Sequence, residues 1–531
     1  MSIRLSATLN LHQPPRDAHD VTFIPLRRRF SNQVEPRRLI PHTNGKPAED
    51  WNIQQITPEC YRVLAKGGVF QRLVFNTSPS LLKDLWIQAP DVYRKIIDSE
   101  KISTDRFKGH TNAIAQASPN HAILPLAKKD DKVAHIRWSL AEYEMHYKKR
   151  PEGIWLPETA VDEETLALLA NESIKYVILA PKQAKQFKKI GSNERWQDPG
   201  WEGKNIDPSI AYKVNFQNEK FRDKNISVFF YDSEFSSNIG YPNEHSKWIY
   251  DSSENFLHRW LRVKGDFKHF GVDGETFGHH QKGKADLLVG AINLIDTQKQ
   301  NWQNAEFINY GLFLEKHPPQ MEVQIINNSS WSCDVELNRW GQTVREEKEH
   351  QGHKWIEAKY SNYGITQWHP YWRVQLRNAL DDLNERLKLV YLENAQKQFK
   401  DPKKAALDYG FVVSNSRSFY EFFELHKTPN TDVDKAYKLL EMQKFMKYMF
   451  TSCGWFHEYV GRIEPFTNFI CANSAIKIAE EFNQHTEIEH DFLNRLSPDM
   501  IWVYNQAKEQ NNKWSAEYNS SSQTSGAKRA V

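Results

Sequence analysis

The sequence predicts an α/β protein: a seven-stranded parallel β/α barrel over roughly the first 330 residues, followed by a packed α-helical domain. Three observations carry this. Short apolar runs alternate with helical patterns through the first part. The first of these runs is strand-like and ends in polar residues. Beyond about residue 365 only helical patterns remain. Strands alternating with helices need crossover connections, and crossovers give a parallel sheet.

The candidate strands are residues 4–10, 72–77, 153–156, 176–180, 227–231, 269–272 and 322–326. Their number favours a closed or nearly closed barrel over an open doubly wound sheet, since no Gly-rich phosphate loop follows the first strand. Residues 78–100, 131–147 and 162–171 read as helices. The last of these starts at Asp162 with an acidic first turn, a good N-terminal cap. Residues 14–56 and 185–225 lack periodicity and read as insertions, the second carrying Trp196, Pro199 and Trp201. Long loops in a compact domain are commonly functional, and on a barrel these are expected over the active-site face. Residues 368–398 show a helical apolar stripe through Trp372, Leu376, Leu380, Leu383, Leu387 and Val390. The expected divisions are 1–330 for the barrel, 331–512 for the helical domain and 513–531 for a disordered Ser- and Asn-rich tail. Trp331, Trp340, Trp355, Trp368 and Trp372 crowd the junction and suggest that the helical part packs on the barrel.

Composition narrows the function. The 531 residues carry 70 basic and 67 acidic side chains, a net +3, with no long basic block. That excludes a nucleic-acid footprint. No apolar run reaches about 18 residues, so no membrane span is expected. The N-terminus reads as a strand and not as a signal peptide. Cys60, Cys333, Cys453 and Cys471 form no C-x-x-C pair, which disfavours a zinc knuckle and suits a reducing, cytoplasmic setting. The 17 Trp, 21 Tyr and 29 Phe supply a large core and possible sugar-stacking surfaces.

Two carboxylates stand out. Glu158 follows Trp155-Leu156-Pro157, where Pro ends a strand and leaves the acid beyond it. Asp273 opens Asp273-Gly274-Glu275 at the end of another strand, where packing alone would not choose charge. Acids at the C-terminal ends of barrel strands are placed for chemistry, and a facing pair suffices to cleave a glycosidic bond. In the retaining version the two carboxyl groups lie about 5–5.5 Å apart, one ionised and one protonated.

His12-Gln13-Pro14, Gly109-His110, Trp155-Leu156-Pro157-Glu158, Asp273-Gly274-Glu275 with Gly278, and Ser330-Trp331 follow one another in the order of the signature segments of glycoside hydrolase family 57, which the chain resembles. Its later Leu440-Glu441-Met442-Gln443 and Ser452-Cys453-Gly454-Trp455 resemble the helical domain of unknown function found in one subgroup. The resemblance implies a seven-stranded barrel acting on α-glucans with retention, as hydrolase or transglycosylase, without metal or cofactor. It implies Glu158 as nucleophile and Asp273 as acid/base. Substrate contacts would come from His12, Gln13, His110, Asn112, Trp155, Glu275, His279 and Trp331. The chain departs from the pattern in carrying Asn112 where amylase-like members have Glu, and any acid of the fifth segment maps onto Asp334.

Two other readings use the same residues. A metal-dependent deacetylase or α-mannosidase on a related barrel could draw ligands from Asp273, His279, His280 and His12 or His110, although Gln13 replaces the acid such a site wants. A glycan-binding protein with a decayed site is the non-enzymatic reading, against which the intact Glu158 and Asp273 argue. The expected partner in each case is an oligo- or polysaccharide.

Overall fold

The computed structural model describes residues 3–30, 37–43, 45–333, 336–343, 371–482 and 487–524. They form two compact units. One comprises 1–13, 50–119 and 124–336; the other comprises 14–49, 120–123 and 337–531. Among the described residues no helix is long and apolar enough to cross a membrane.

The first unit is built on one eleven-stranded sheet. Its strands are β1 (Arg4–Leu11), β2 (Val74–Thr77), β3 (Ala113–Gln116), β4 (Gly153–Trp155), β5 (Tyr176–Leu179), β6 (Ala184–Lys189), β7 (Ala211–Val214), β8 (Ser227–Phe230), β9 (Phe267–Asp273), β10 (Glu306–Phe307) and β11 (Met321–Ile325). A parallel ladder runs β9-β1-β2-β3-β4-β5-β8. Its two end strands come near each other, since Asp232 N donates to His269 O at 3.1 Å. The sheet is therefore curled.

This corrects the expected closed seven-stranded barrel. Among the described residues no ladder joins β8 to β9, and β6, β7, β10 and β11 extend the sheet beyond the parallel set. The roster differs as well. The segment at 322–326 is a strand, but β11 pairs antiparallel with β6 and parallel with β7, outside the parallel run. Its place is taken by β3, whose Ala-Ile-Ala-Gln is short, weak in β propensity and legible as a loop. Strands β6 and β7 occupy part of the expected 185–225 insertion.

Side chains alternate across the sheet. Leu5, Ala7, Leu9 and Leu11 of β1 join Ile154, Val177, Leu179, Val228 and Val272 in a core shared with flanking helices, including Leu81, Leu85, Leu140, Leu166 and Leu288. Ser6, Thr8 and Asn10 are the intervening positions of β1 and are also buried. The concave side holds a second, aromatic cluster of Trp155, Tyr176, Phe229, Tyr231, Phe267, Tyr310 and Phe313, with Trp331 packed against it. A polar thread runs inside: Thr8 Oγ1 donates to Tyr310 Oη at 3.0 Å, and Tyr310 Oη lies 2.9 Å from His269 Nδ1. His269 Nε2 is 2.8 Å from Pro208 O, which can only accept, so Nε2 carries the proton and Nδ1 accepts from the phenol. Burial pushes His269 down to about 4, and it stays neutral.

The second unit is helical, with long helices at Trp372–Ala395, Val433–Tyr448, Ile463–Phe482 and Pro498–Thr524. Arg373 and Trp455 lock two of its segments together, each side chain donating to the other's carbonyl at 2.9 and 3.0 Å. Within this unit Asn120 Nδ2 donates to Lys447 O at 2.8 Å, and Ala122 bridges Thr451. The helix Pro498–Thr524 runs into the stretch expected as a disordered tail. Tyr518 is fully buried there, with Arg28 and Arg38 stacked on its ring at 4.8 and 4.6 Å, and such burial outweighs a Ser- and Asn-rich composition. Trp355 and Trp368 lie outside the described residues.

Candidate active site

The turn after β4 is built to present Glu158. Pro157 stops the strand, and Glu158 and Thr159 both take left-handed backbone conformations, φ 57° and 52°. Each costs roughly 1–2 kcal/mol for a residue with a side chain. The turn is held in return by Thr159 N to Leu156 O (2.8 Å), Gln183 Nε2 to Thr159 O (2.8 Å) and Trp331 N to Thr159 Oγ1 (2.9 Å). Two donors then grip one carboxylate oxygen: Trp331 Nε1 and Ser332 Oγ reach Glu158 Oε2 at 2.9 and 2.6 Å.

Asp273 ends β9 in register with Asn10, which is in register with Asn76 on β2. The side chains repeat the order. Asn76 Nδ2 donates to Asn10 Oδ1 at 2.9 Å, and Asn10 Nδ2 donates to Asp273 Oδ1 at 2.8 Å. Burial pushes the Asp273 carboxyl up, against the Asn10 bond. Two residues on, Glu275 is buried and raised to about 8, first by desolvation and then by the Asp273 charge. Three donors meet its Oε1: the Tyr61 phenol, His12 N at 3.2 Å and Gln13 Nε2 at 3.4 Å. Neither Asp273 nor Glu275 has a basic side chain in an ion pair among the described residues. Tyr61 ends a ten-residue π-helix, Asn52–Tyr61, a rare form that recurs at functional sites. From the same helix Cys60 Sγ donates to Gly274 O at 3.3 Å. Burial and the Glu275 charge keep the Tyr61 phenol protonated, a permanent donor.

Aromatic rings connect the two carboxylate systems. Trp331, bonded to Glu158, packs edge-on against Trp155 at 5.2 Å and Tyr231 at 6.4 Å. The Tyr231 phenol is pushed up by burial and then by the charge of Asp273. Tyr231 therefore neighbours both the Glu158 clamp and Asp273.

Of the candidate residues, the His12 backbone, Gln13 and Glu275 share one hydrogen-bond cluster beside Asp273, while Trp331 bonds Glu158 and Trp155 packs on the Trp331 ring. His110 and Asn112 do not join them. Both precede β3 and lie at the N-terminal end of the parallel strands, the end away from Glu158 and Asp273. His110 is held there by Glu152 and Glu315, each at 3.0 Å. Asn112 N donates to Glu100 at 3.2 Å, and its Nδ2 donates to Phe70 O at 3.1 Å. That removes His110 from any metal ligand set with Asp273. His279 bonds Glu275 O through its backbone N at 3.1 Å, while its ring faces Glu59 at 4.0 Å. Asp334 lies outside the described residues. Sequence reading missed Tyr61, Tyr231, Ser332, Asn10 and Asn76. Ser332 and Tyr231 adjoin segments already singled out, whereas nothing in the sequence marks residues 52–61 as a π-helix.

Comparison with known proteins bears on the family and the fold. Residues 111–326 match the model of Glycosyl hydrolase family 57, and residues 368–500 match a Domain of unknown function (DUF3536). No curated protein matches the chain by sequence. Among solved structures, an exo-type maltose-forming amylase from Pyrococcus sp. ST04 superposes with a TM-score of 0.62 at 15% identity, covering 96% of this chain and 88% of that one. A GH57-type branching enzyme from Pyrococcus horikoshii gives 0.53 at 13%, covering 96% and 95%. A 4-alpha-glucanotransferase from Thermococcus litoralis gives 0.51 at 14%, covering 91% and 60%. At such identities the superpositions speak for the fold, and the likeness to Glycosyl hydrolase family 57 rests on the matched segment 111–326, followed by the DUF3536 match over 368–500.

Proposed function

We propose that the protein is a retaining enzyme of α-linked glucans, hydrolase or glucanotransferase, with Glu158 as nucleophile and Asp273 as acid/base. The observation that carries this is the difference between the two environments. Glu158 is gripped on one oxygen by two donors, which suits an ionised carboxylate. Asp273 is half-buried beside the buried Glu275 carboxyl, and desolvation pushes its own carboxyl up, which suits a protonated form. The Glu158 carboxylate attacks the anomeric carbon as Asp273 passes its proton to the departing glycosidic oxygen, leaving a glycosyl ester on Glu158. Asp273, now ionised, takes a proton from water or a sugar hydroxyl, which attacks the anomeric carbon from the face opposite Glu158. Glu158 leaves, and the configuration is retained. Glu275 Oε2 accepts no hydrogen bond among the described residues, which leaves it for a sugar hydroxyl. The amylase, branching-enzyme and glucanotransferase relatives support the α-glucan class.

Product analysis on maltooligosaccharides, amylose and α-mannosides tests the reading, with the anomer formed first read by NMR. Release or transfer of α-glucosyl units, with the α-anomer appearing first, is expected. Turnover of α-mannosides alone, or the β-anomer first, would overturn it.

A further inference from the structure

Trp201 is 80% exposed, an unusual place for the residue type with most to gain from burial. Its loop is rigidly made. Gly200 N donates to Asp198 Oδ1 at 2.7 Å, Asn205 N to Pro199 O at 2.8 Å, Asn205 Nδ2 to Asp198 O at 3.1 Å and Gly203 N to Gly200 O at 3.0 Å. Glu202, next to the tryptophan, adopts φ 54°, local strain of the kind stored at functional positions. Gly203 presses on the turn after β5 so closely that an added Cβ would sit 2.3 Å from the Pro181 carbonyl carbon. That turn touches the candidate site directly. Gln183 donates to Thr159 O at 2.8 Å, beside Glu158, and Lys182 Nζ donates to Cys333 O at 3.1 Å, next to Ser332. Trp196, in the same insertion, has its ring covered by Lys188 Nζ at 4.9 Å. The Trp201 ring has no aromatic or cationic partner among the described residues, and exposed Glu202, Lys204 and Asn205 surround it.

We propose that Trp201 is an outlying subsite, stacking on a pyranose ring of the α-glucan chain that extends from Glu158. This rests on the α-glucan reading above. A flat indole matches the apolar face of a pyranose, while the flanking polar groups match its hydroxyls. Rigid mounting means that little ordering is lost when the sugar arrives. Because the stack lies away from the reacting bond, it binds ground state and transition state alike and shows in KM and not in kcat.

The test compares wild type, Trp201→Ala and Trp201→Phe on maltoheptaose and on a chromogenic maltoside too short to reach the loop. Trp201→Ala is expected to raise KM for maltoheptaose about three- to tenfold. It should leave kcat and the short-substrate KM unchanged, and Trp201→Phe should restore most of the loss. Equal KM values for wild type and Trp201→Ala on maltoheptaose, or equal losses on both substrates, would overturn the subsite while leaving the α-glucan reading standing. So would conversion of an oligomer to a monomer with KM unchanged, which would assign the ring to a second copy of the chain. A wild type that turns over neither substrate would take down both readings.

Discussion

The two ends of the parallel strands bury carboxylates in opposite ways. At the N-terminal end, Glu100 accepts from Asn112 N (3.2 Å), Ala113 N (2.9 Å) and Ser103 Oγ (3.0 Å), with Lys149 at 2.7 Å as counter-charge. Glu152 there is shared between His110 and Lys175. Against the cost of burial, the Lys175 bond and the His110 charge hold Glu152 below the usual carboxylate range. These acids are saturated and neutralised, and they tie strands to helices. At the C-terminal end, among the described residues, Asp273 has a single side-chain donor and no basic partner in an ion pair, and Glu275 concentrates its bonds on one oxygen. A buried acid without a counter-charge costs stability, and a fold retains that cost where chemistry uses it. The difference separates structural acids from candidate catalytic ones better than burial does, because Glu100 at one end and Glu275 at the other are equally buried.

The comparison can be broken most decisively at Glu158. Glu158→Ala is expected to lower turnover by at least roughly 10⁴-fold, because no glycosyl ester can form. Added azide should restore product as a glycosyl azide of inverted configuration. An active variant without azide would remove Glu158 from the mechanism. Asp273→Ala comes next, with a loss of about 10²–10⁴-fold on natural glucans and far less on substrates whose leaving group needs no proton. A loss independent of leaving group would reassign Asp273.

Tyr61→Phe sharpens the contrast between Asp273 and Glu275. The phenol donates to Glu275 and favours its ionised form, against the burial and the Asp273 charge that raise Glu275 to about 8. Tyr61 thus acts as a positioning residue. Without it Glu275 holds its proton more tightly, Asp273 ionises sooner, and the alkaline limb of kcat/KM should move down by roughly one pH unit, with kcat lowered several-fold. The other titratable side chain that feels the Glu275 charge is Cys60, unchanged in this variant. An unmoved alkaline limb would confine Tyr61 to packing.

The smallest effect on activity is expected at the saturated end. His110→Ala should cost about 1–3 kcal/mol of stability by removing one of the two side chains bonded to Glu152, read as a lowered denaturation midpoint. Because the folded-state pKa of Glu152 is depressed, the stability it brings is present above about 4.5 and lost as pH falls below that. The His110→Ala penalty should therefore shrink in acid. Activity should stay within about twofold of wild type. A large kinetic loss without unfolding would return His110 to the site.

Much of this was legible beforehand, for a physical reason. Glu158 after a strand-ending Pro and Asp273 at the close of an apolar run break local patterning, and charge at such places needs an explanation that packing does not supply. Trp155 adjoins one of them, whereas His12, Gln13 and Trp331 are legible only through the resemblance of their own segments to the family's. His110 and Asn112 misled because a Gly-His segment looks the same at either end of a strand. Without β3 recognised at 113–116, there was no way to tell that both precede it.

By itself the sequence determined the alternation of strand and helix, the helical second half and the two acids, because hydrophobic period and strand-end chemistry are local properties. Only tertiary structure decided that the sheet curls without a ladder closing it, and that β11 turns outward to pair with β6. It alone placed Tyr61 on a π-helix against Glu275 and kept Pro498–Thr524 helical into the expected tail. Those outcomes depend on pairings and burial between residues hundreds of positions apart, such as Asn10 with Asp273 or Arg28 with Tyr518, and no window of sequence contains both partners.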